Sequence, residues 1–108
     1  MASTFKNAGM SVVTTDDASA NLYTAGGSTY AVVHAVYVSN KSSTNTAKVD
    51  VKVTTDGGST FYHVGKSLEI DVNNTLILDK PINLEPNDII RIVAELNIDS
   101  SSPDVEAY

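Results

Sequence analysis

The chain has 108 residues and no cysteine, with seven Lys+Arg against 13 Asp+Glu for a formal net charge of −6. That length suits one domain hiding roughly 60–70% of its unfolded surface, so a core needs neither disulfides nor a thiolate–metal staple. The acidic balance disfavours a phosphate backbone as partner, and no apolar run approaches the ~20 residues of a membrane span; we expect neither nucleic-acid nor membrane binding.

The N-terminal "MASTFKNAGM" carries one lysine and no apolar h-region, which predicts no signal peptide and synthesis in the cytoplasm. Residues 1–15 read as an extended arm or first strand, with Phe5, Met10, Val12 and Val13 as anchors, and residues 16–108 as the domain proper. Asn21–Thr24 reads as a short strand. "YAVVHAVYVS", Tyr30–Ser39, reads as one long strand with two apolar faces: Val32, Val36 and Val38 on one, Ala31, Val33, Ala35 and Tyr37 on the other. Both faces need cover, either from a loop or the N-terminal arm, or from another subunit. In the second case Ala31, Val33, Ala35 and Tyr37 form the partner interface.

"AKVDVKVTT" is the cleanest alternation, with Ala47, Val49, Val51 and Val53 inward and Lys48, Asp50, Lys52 and Thr54 on a wet face. Asp56-Gly57-Gly58-Ser59 supplies a turn that tolerates positive φ, and "TFYHV" returns as the second strand of a hairpin. Leu68–Val72 and Thr75–Asp79 flank the turn-like Asn73-Asn74. Pro81 and Pro86 lack N–H donors, so "KPINLEP" reads as a shaped connection that pins Ile82 and Leu84 on the core. Asp88–Leu96 is the next strand, and Val105–Tyr108 the last.

About eight short strands at such spacing, with no helical stripe, predict an all-β fold. We expect a single antiparallel β-sandwich, jelly-roll or immunoglobulin-like, preceded by the extended arm.

Chemistry is hard to find. His34 and His63 lie on separate predicted strands, and no HxH or HExxH spacing makes them zinc ligands. No GxSxG elbow marks a nucleophilic serine. Asp16-Asp17, Asp56 and the Asp99…Asp104 region offer oxygen ligands, but none has the spacing of a calcium loop, and solvated turns explain them. Any two acids can meet in space as a glycosidase pair, yet none sits in an aromatic neighbourhood. Tyr23, Tyr30, Tyr37 and Tyr62 are the candidate stacking platforms for a sugar. Gly26-Gly27 precedes no helix, and the "NKS" and "NNT" sequons read as turns. We expect no catalytic residue, metal or cofactor.

"VVHAVYVSN" (Val32–Asn40), "VDVKVT" (Val49–Thr54) and "LILDKPINLEPNDIIRIVA" (Leu76–Ala94) follow one another in this order. In order and spacing they resemble the small β-sandwich virion proteins of tailed bacteriophages, especially those of marine and cyanobacterial hosts. The resemblance spans about residues 20 to 108; the first fifteen residues lie outside it. It implies a structural, non-enzymatic role in the virion, made in the bacterial cytoplasm. The expected partners are the major capsid protein or neck and tail proteins, and further copies of the chain in a homo-oligomer. We expect a capsid decoration (cement) protein on the outside of the shell. A head–tail (neck) or tail adaptor is the alternative in the same particle, and a glycan-binding module for host attachment the alternative of another class.

Overall fold

The computed structural model describes residues 8–28, 30–96 and 103–108, so the expected anchor Phe5, the acid Asp99 and the Ser100–Ser102 run lie outside the described residues. Among the described residues there are ten strands and no α-helix: β1 (Met10–Ser11), β2 (Asn21–Thr24), β3 (Ala31–Val33), β4 (Val36–Asn40), β5 (Ala47–Thr54), β6 (Phe61–Ile70), β7 (Thr75–Leu78), β8 (Ile82–Leu84), β9 (Ile89–Ala94) and β10 (Val105–Ala107). Every strand ladder is antiparallel, in three sheets: β1-β10-β4-β7, β2-β9-β5-β6 and the two-stranded β3-β8. The expectation of all-β antiparallel structure holds; the expected count of about eight strands does not.

The two four-stranded sheets share one core. Val36, Val38, Val105 and Ala107 from the first meet Ala47, Val49, Val51, Ile70, Ile90, Ile92 and Ala94 from the second, with Val12 between them. Each valine or isoleucine buried there stabilises by about 1.5–3 kcal/mol before conformational entropy is counted. The segment after β1 links the sheets: Val12 N donates to Val105 O at 2.8 Å, and Val13 O accepts from Ala94 N at 2.9 Å.

The long apolar strand expected at Tyr30–Ser39 is two strands in different sheets. Val33 of β3 packs on the core, and so do Val36 and Val38 of β4. Val33 and Val36 are three positions apart, an odd spacing that a continuous strand cannot place on one face. The break at His34-Ala35 resolves this, and it puts Val32 and Tyr37 outward.

The reverse happens in β6. The segments expected as two strands, "TFYHV" and Leu68–Val72, form one strand of ten residues paired along β5. Its register slips between Val49 and Val51, and again between Val51 and Lys52, so β6 carries one extra residue at each slip. Bulges break the two-residue period, and one bulged strand therefore reads as two. At the first slip Ser67 has φ 51, with its N–H donating to Asp50 Oδ1 at 2.7 Å.

The proline segment contains more structure than a connection. Pro81 precedes β8, whose Ile82 and Leu84 face the interior opposite Val33 and Ala31. Pro86-Asn87 occupy the centre of a turn closed by Asp88 N donating to Glu85 O at 3.0 Å, and Asn87 takes φ 70, as the third turn residue requires. The Asp88 carboxylate accepts from Glu85 N at 2.9 Å and locks the turn directly ahead of β9.

Lys52 and Thr54 depart from the wet face assigned to β5. Thr54 is buried, its hydroxyl donating to Asp56 and accepting from Gly58 N in the hairpin turn. The Lys52 side chain is only 11% exposed, because the segment around Asp16 crosses over that end of the sheet. Lys48, on the same face, is open to solvent as expected.

Candidate interface

Of the four suggested interface residues, Ala31 and Val33 stand opposite Leu84 and Ile82 on the inward side of the β3-β8 ribbon. Ala35 is half-buried in the break between strands. Tyr37 alone of the four is on an exposed face, so the chain does not present the set as one surface. The reason is the odd spacing described above.

Tyr37 heads a different grouping. It exchanges two backbone hydrogen bonds of 2.8 Å with Tyr108 on one side and stands in register with Ile77 of β7 on the other. Residues directly opposite across antiparallel strands share a face. Tyr108, Tyr37 and Ile77 therefore form a row across the outer face of the first sheet, 57%, 43% and 53% exposed. Beside it runs a polar row, Ser11, Glu106, Ser39 and Thr75, also in register. Ser39 and Thr75 share a hydroxyl–hydroxyl hydrogen bond of 2.9 Å. A shallow depression of about 450 Å³ lies between the tyrosines and Ser11, Ser39 and Glu106. At its edge Lys41 Nζ lies 3.3 Å from Asp104 and 3.5 Å from Glu106, and the Asp104 hydrogen bond holds the ammonium above its usual range.

Ile77 and Tyr108 fall outside the set the sequence suggests. The local signal for Ile77 is the alternation in "TLIL", where Leu76 and Leu78 pack on the core. Its alignment with Tyr37 and Tyr108 depends on pairings between residues 40 (Tyr37, Ile77) and 71 (Tyr37, Tyr108) positions apart, which local periodicity does not encode. A second apolar exposure, Tyr30 and Val32 beside Asn83, lies on the β3-β8 ribbon.

Among the described residues, the acids singled out as ligand candidates each have protein partners, Asp104 through Lys41 as above. Asp56 accepts from the Thr54 hydroxyl at 2.7 Å and from the N–H groups of Thr60 and Ser59 at 2.9 and 3.0 Å; these bonds hold its carboxyl at about 2. Asp17 accepts from the Ser19 hydroxyl and from Ser19 N at 2.8 Å, capping the 3-10 turn Ala18–Ala20; the hydroxyl bond is the largest cause of its lowered pKa, the backbone bond the next. Asp16 bonds Lys52, and it lies 3.0 Å from Arg91 Nη1; the Lys52 hydrogen bond is the largest cause of its lowered pKa. His63 is on β6 and His34 in the strand break, and among the described residues no group of three or more His, Asp or Glu gathers as a metal site.

Asn40, first residue of an "NKS" sequon, is 2% exposed. Its amide donates to Asn45 O at 2.8 Å and Ile70 O at 3.0 Å, and its oxygen accepts from Ser42 N at 3.0 Å. The side chain staples two loops and leaves no nitrogen for a glycan.

No protein-family model, curated protein or solved structure matches the chain.

Proposed function

We propose that the chain is a non-enzymatic structural component of a tailed-phage virion, a decoration protein bound to the outside of the shell. In this reading the two four-stranded sheets form a single β-sandwich, and the outer face of the first sheet docks on the major capsid protein or on a neighbouring copy. The observation that carries it is the row Tyr108–Tyr37–Ile77. Two tyrosines and an isoleucine held side by side on a sheet lose little side-chain entropy on docking, and tyrosine brings a large apolar area with a polar tip. A repeated subunit can use a small contact, since many copies and several neighbours add avidity. The commitment of Asp16, Asp17, Asp56 and Asp104 to turns and ion pairs, and the order of the strand segments set out above, support the same reading.

The depression beside the row favours a second reading, glycan attachment. Tyr37 and Tyr108 flank hydroxyl and carboxylate groups there, the combination of stacking face and hydrogen-bond partners that a sugar uses.

The test is co-sedimentation of the purified protein with shells lacking it, with tails lacking it, and with host-surface polysaccharide. Binding to shells at hundreds of copies supports decoration. Binding to tails alone at about a dozen copies supports the adaptor, and binding to polysaccharide alone supports the glycan module.

A further inference from the structure

The outer face of the second sheet carries four side chains in register, one from each strand: Asn21 (β2), Arg91 (β9), Lys52 (β5) and His63 (β6). Arg91 and Lys52 are directly opposite one another on neighbouring strands, an arrangement that like charges disfavour. Both are almost wholly covered, so bulk water does not screen them well. Two cations held this way call for an anion between them.

Asp16 supplies it, one carboxylate oxygen to Lys52 and the other to Arg91. It does not belong to the sheet. It sits on the exposed run Thr15–Ser19, which lies between the anchored Val12-Val13 and the buried Ala20 and is itself tied to the sheet through Asp16. Short exposed segments with few apolar anchors open more readily than the sheet beneath. Arg91 is also held without Asp16: its Nε donates to Asn21 Oδ1 at 2.8 Å, and its guanidinium lies 4.0 Å from the Phe61 ring centroid. Arg91 therefore stays in place when the acid leaves, with Lys52 in register opposite it on β5.

We propose that Lys52 and Arg91, with Arg91 aimed by Asn21 and Phe61, form a carboxylate-binding site that Asp16 fills as a displaceable plug. A carboxylate from outside enters only as Asp16 leaves, which couples its binding to release of the Thr15–Ser19 run. The planar, two-oxygen geometry that Asp16 presents defines the ligand class.

Acetate is the probe. The thermal midpoint of Asp16→Ala is measured in sodium acetate against sodium chloride at equal ionic strength and neutral pH. The proposal expects a saturable acetate-specific rise of about 5 °C or more at roughly tenfold excess over the dissociation constant. No such rise is expected in Asp16→Ala/Lys52→Met, and a much smaller one in the unsubstituted protein, where the plug competes. A midpoint of Asp16→Ala that follows the chloride control, or an equal rise in the double variant, overturns the proposal. Should Asp16→Ala fail to fold, refolding yield reads the same site: recovery in acetate but not chloride supports it, and failure in both overturns it.

Discussion

Lys48 and Lys52 lie four residues apart on one face of β5, and they isolate the effect of the Asp16 crossing. Lys48 is 50% exposed and lies 4.0 Å from Glu69, an ordinary surface pair. Lys52 is nearly covered and bonds Asp16. Truncating Lys52 to alanine removes a charge-assisted hydrogen bond of about 1.5–3 kcal/mol, discounted to about 1 kcal/mol because Asp16 is half exposed. It also uncovers about two stem methylenes at ~0.8 kcal/mol each. Relief of the charge facing Arg91 returns only about 0.5 kcal/mol, because the Asp16 carboxylate bonded to both cations already offsets most of their repulsion. The net loss is about 2 kcal/mol, or a fall in Tm of about 10 °C for a domain of this size. Lys48→Ala should stay within about 0.5 kcal/mol of the parent. Urea denaturation followed by circular dichroism measures both. Equal, small effects at the two positions would show that the Asp16 segment does not cover the sheet and would refute the reasoning.

Asn40→Ala strips the partners of two backbone carbonyls and a backbone N–H in a largely buried site, and should cost about 2–3 kcal/mol in the same denaturation assay; a loss below about 0.5 kcal/mol would contradict the staple. At Gly65 a Cβ would come within 2.5 Å of Leu68 Cδ1 and 3.0 Å of its Cγ, so Gly65→Ala should cost about 1–2 kcal/mol, and a neutral or stabilising result would show that the bulge has slack. The Asp56 carboxyl should titrate at about 2 by NMR, below its usual 3.8. Because the folded value is the lower one, its contribution is fully present above pH ~4 and is lost as pH falls through about 2; a midpoint near 3.8 would mean the turn does not hold it.

Local alternation was readable wherever a strand stays regular and buries one face. "AKVDVKVT" became β5 with its valines in the core, and the Asp56-Gly57-Gly58-Ser59 turn closed the hairpin, with Gly57 at φ 78 and Gly58 at φ 112. The errors came where the two-residue period shifts. An odd spacing between Val33 and Val36 split one apparent strand, and two bulges fused two apparent strands into β6. Lys52 was misplaced for another reason: its cover comes from Asp16, 36 residues earlier, and no periodicity within β5 reports that. The candidate interface was legible only at Tyr37, since its neighbours Tyr108 and Ile77 join it through long-range strand pairing.

The most direct test of the docking role is the variant Tyr37→Ala/Ile77→Ser, checked for intact fold by circular dichroism and then co-sedimented with shells lacking the protein. Both side chains are half exposed on the outer face, so the fold should survive with a change in Tm of a few degrees, while attachment falls at least tenfold. A folded variant that attaches to shells as well as the parent would contradict the account and remove the outer face of the first sheet as the docking surface.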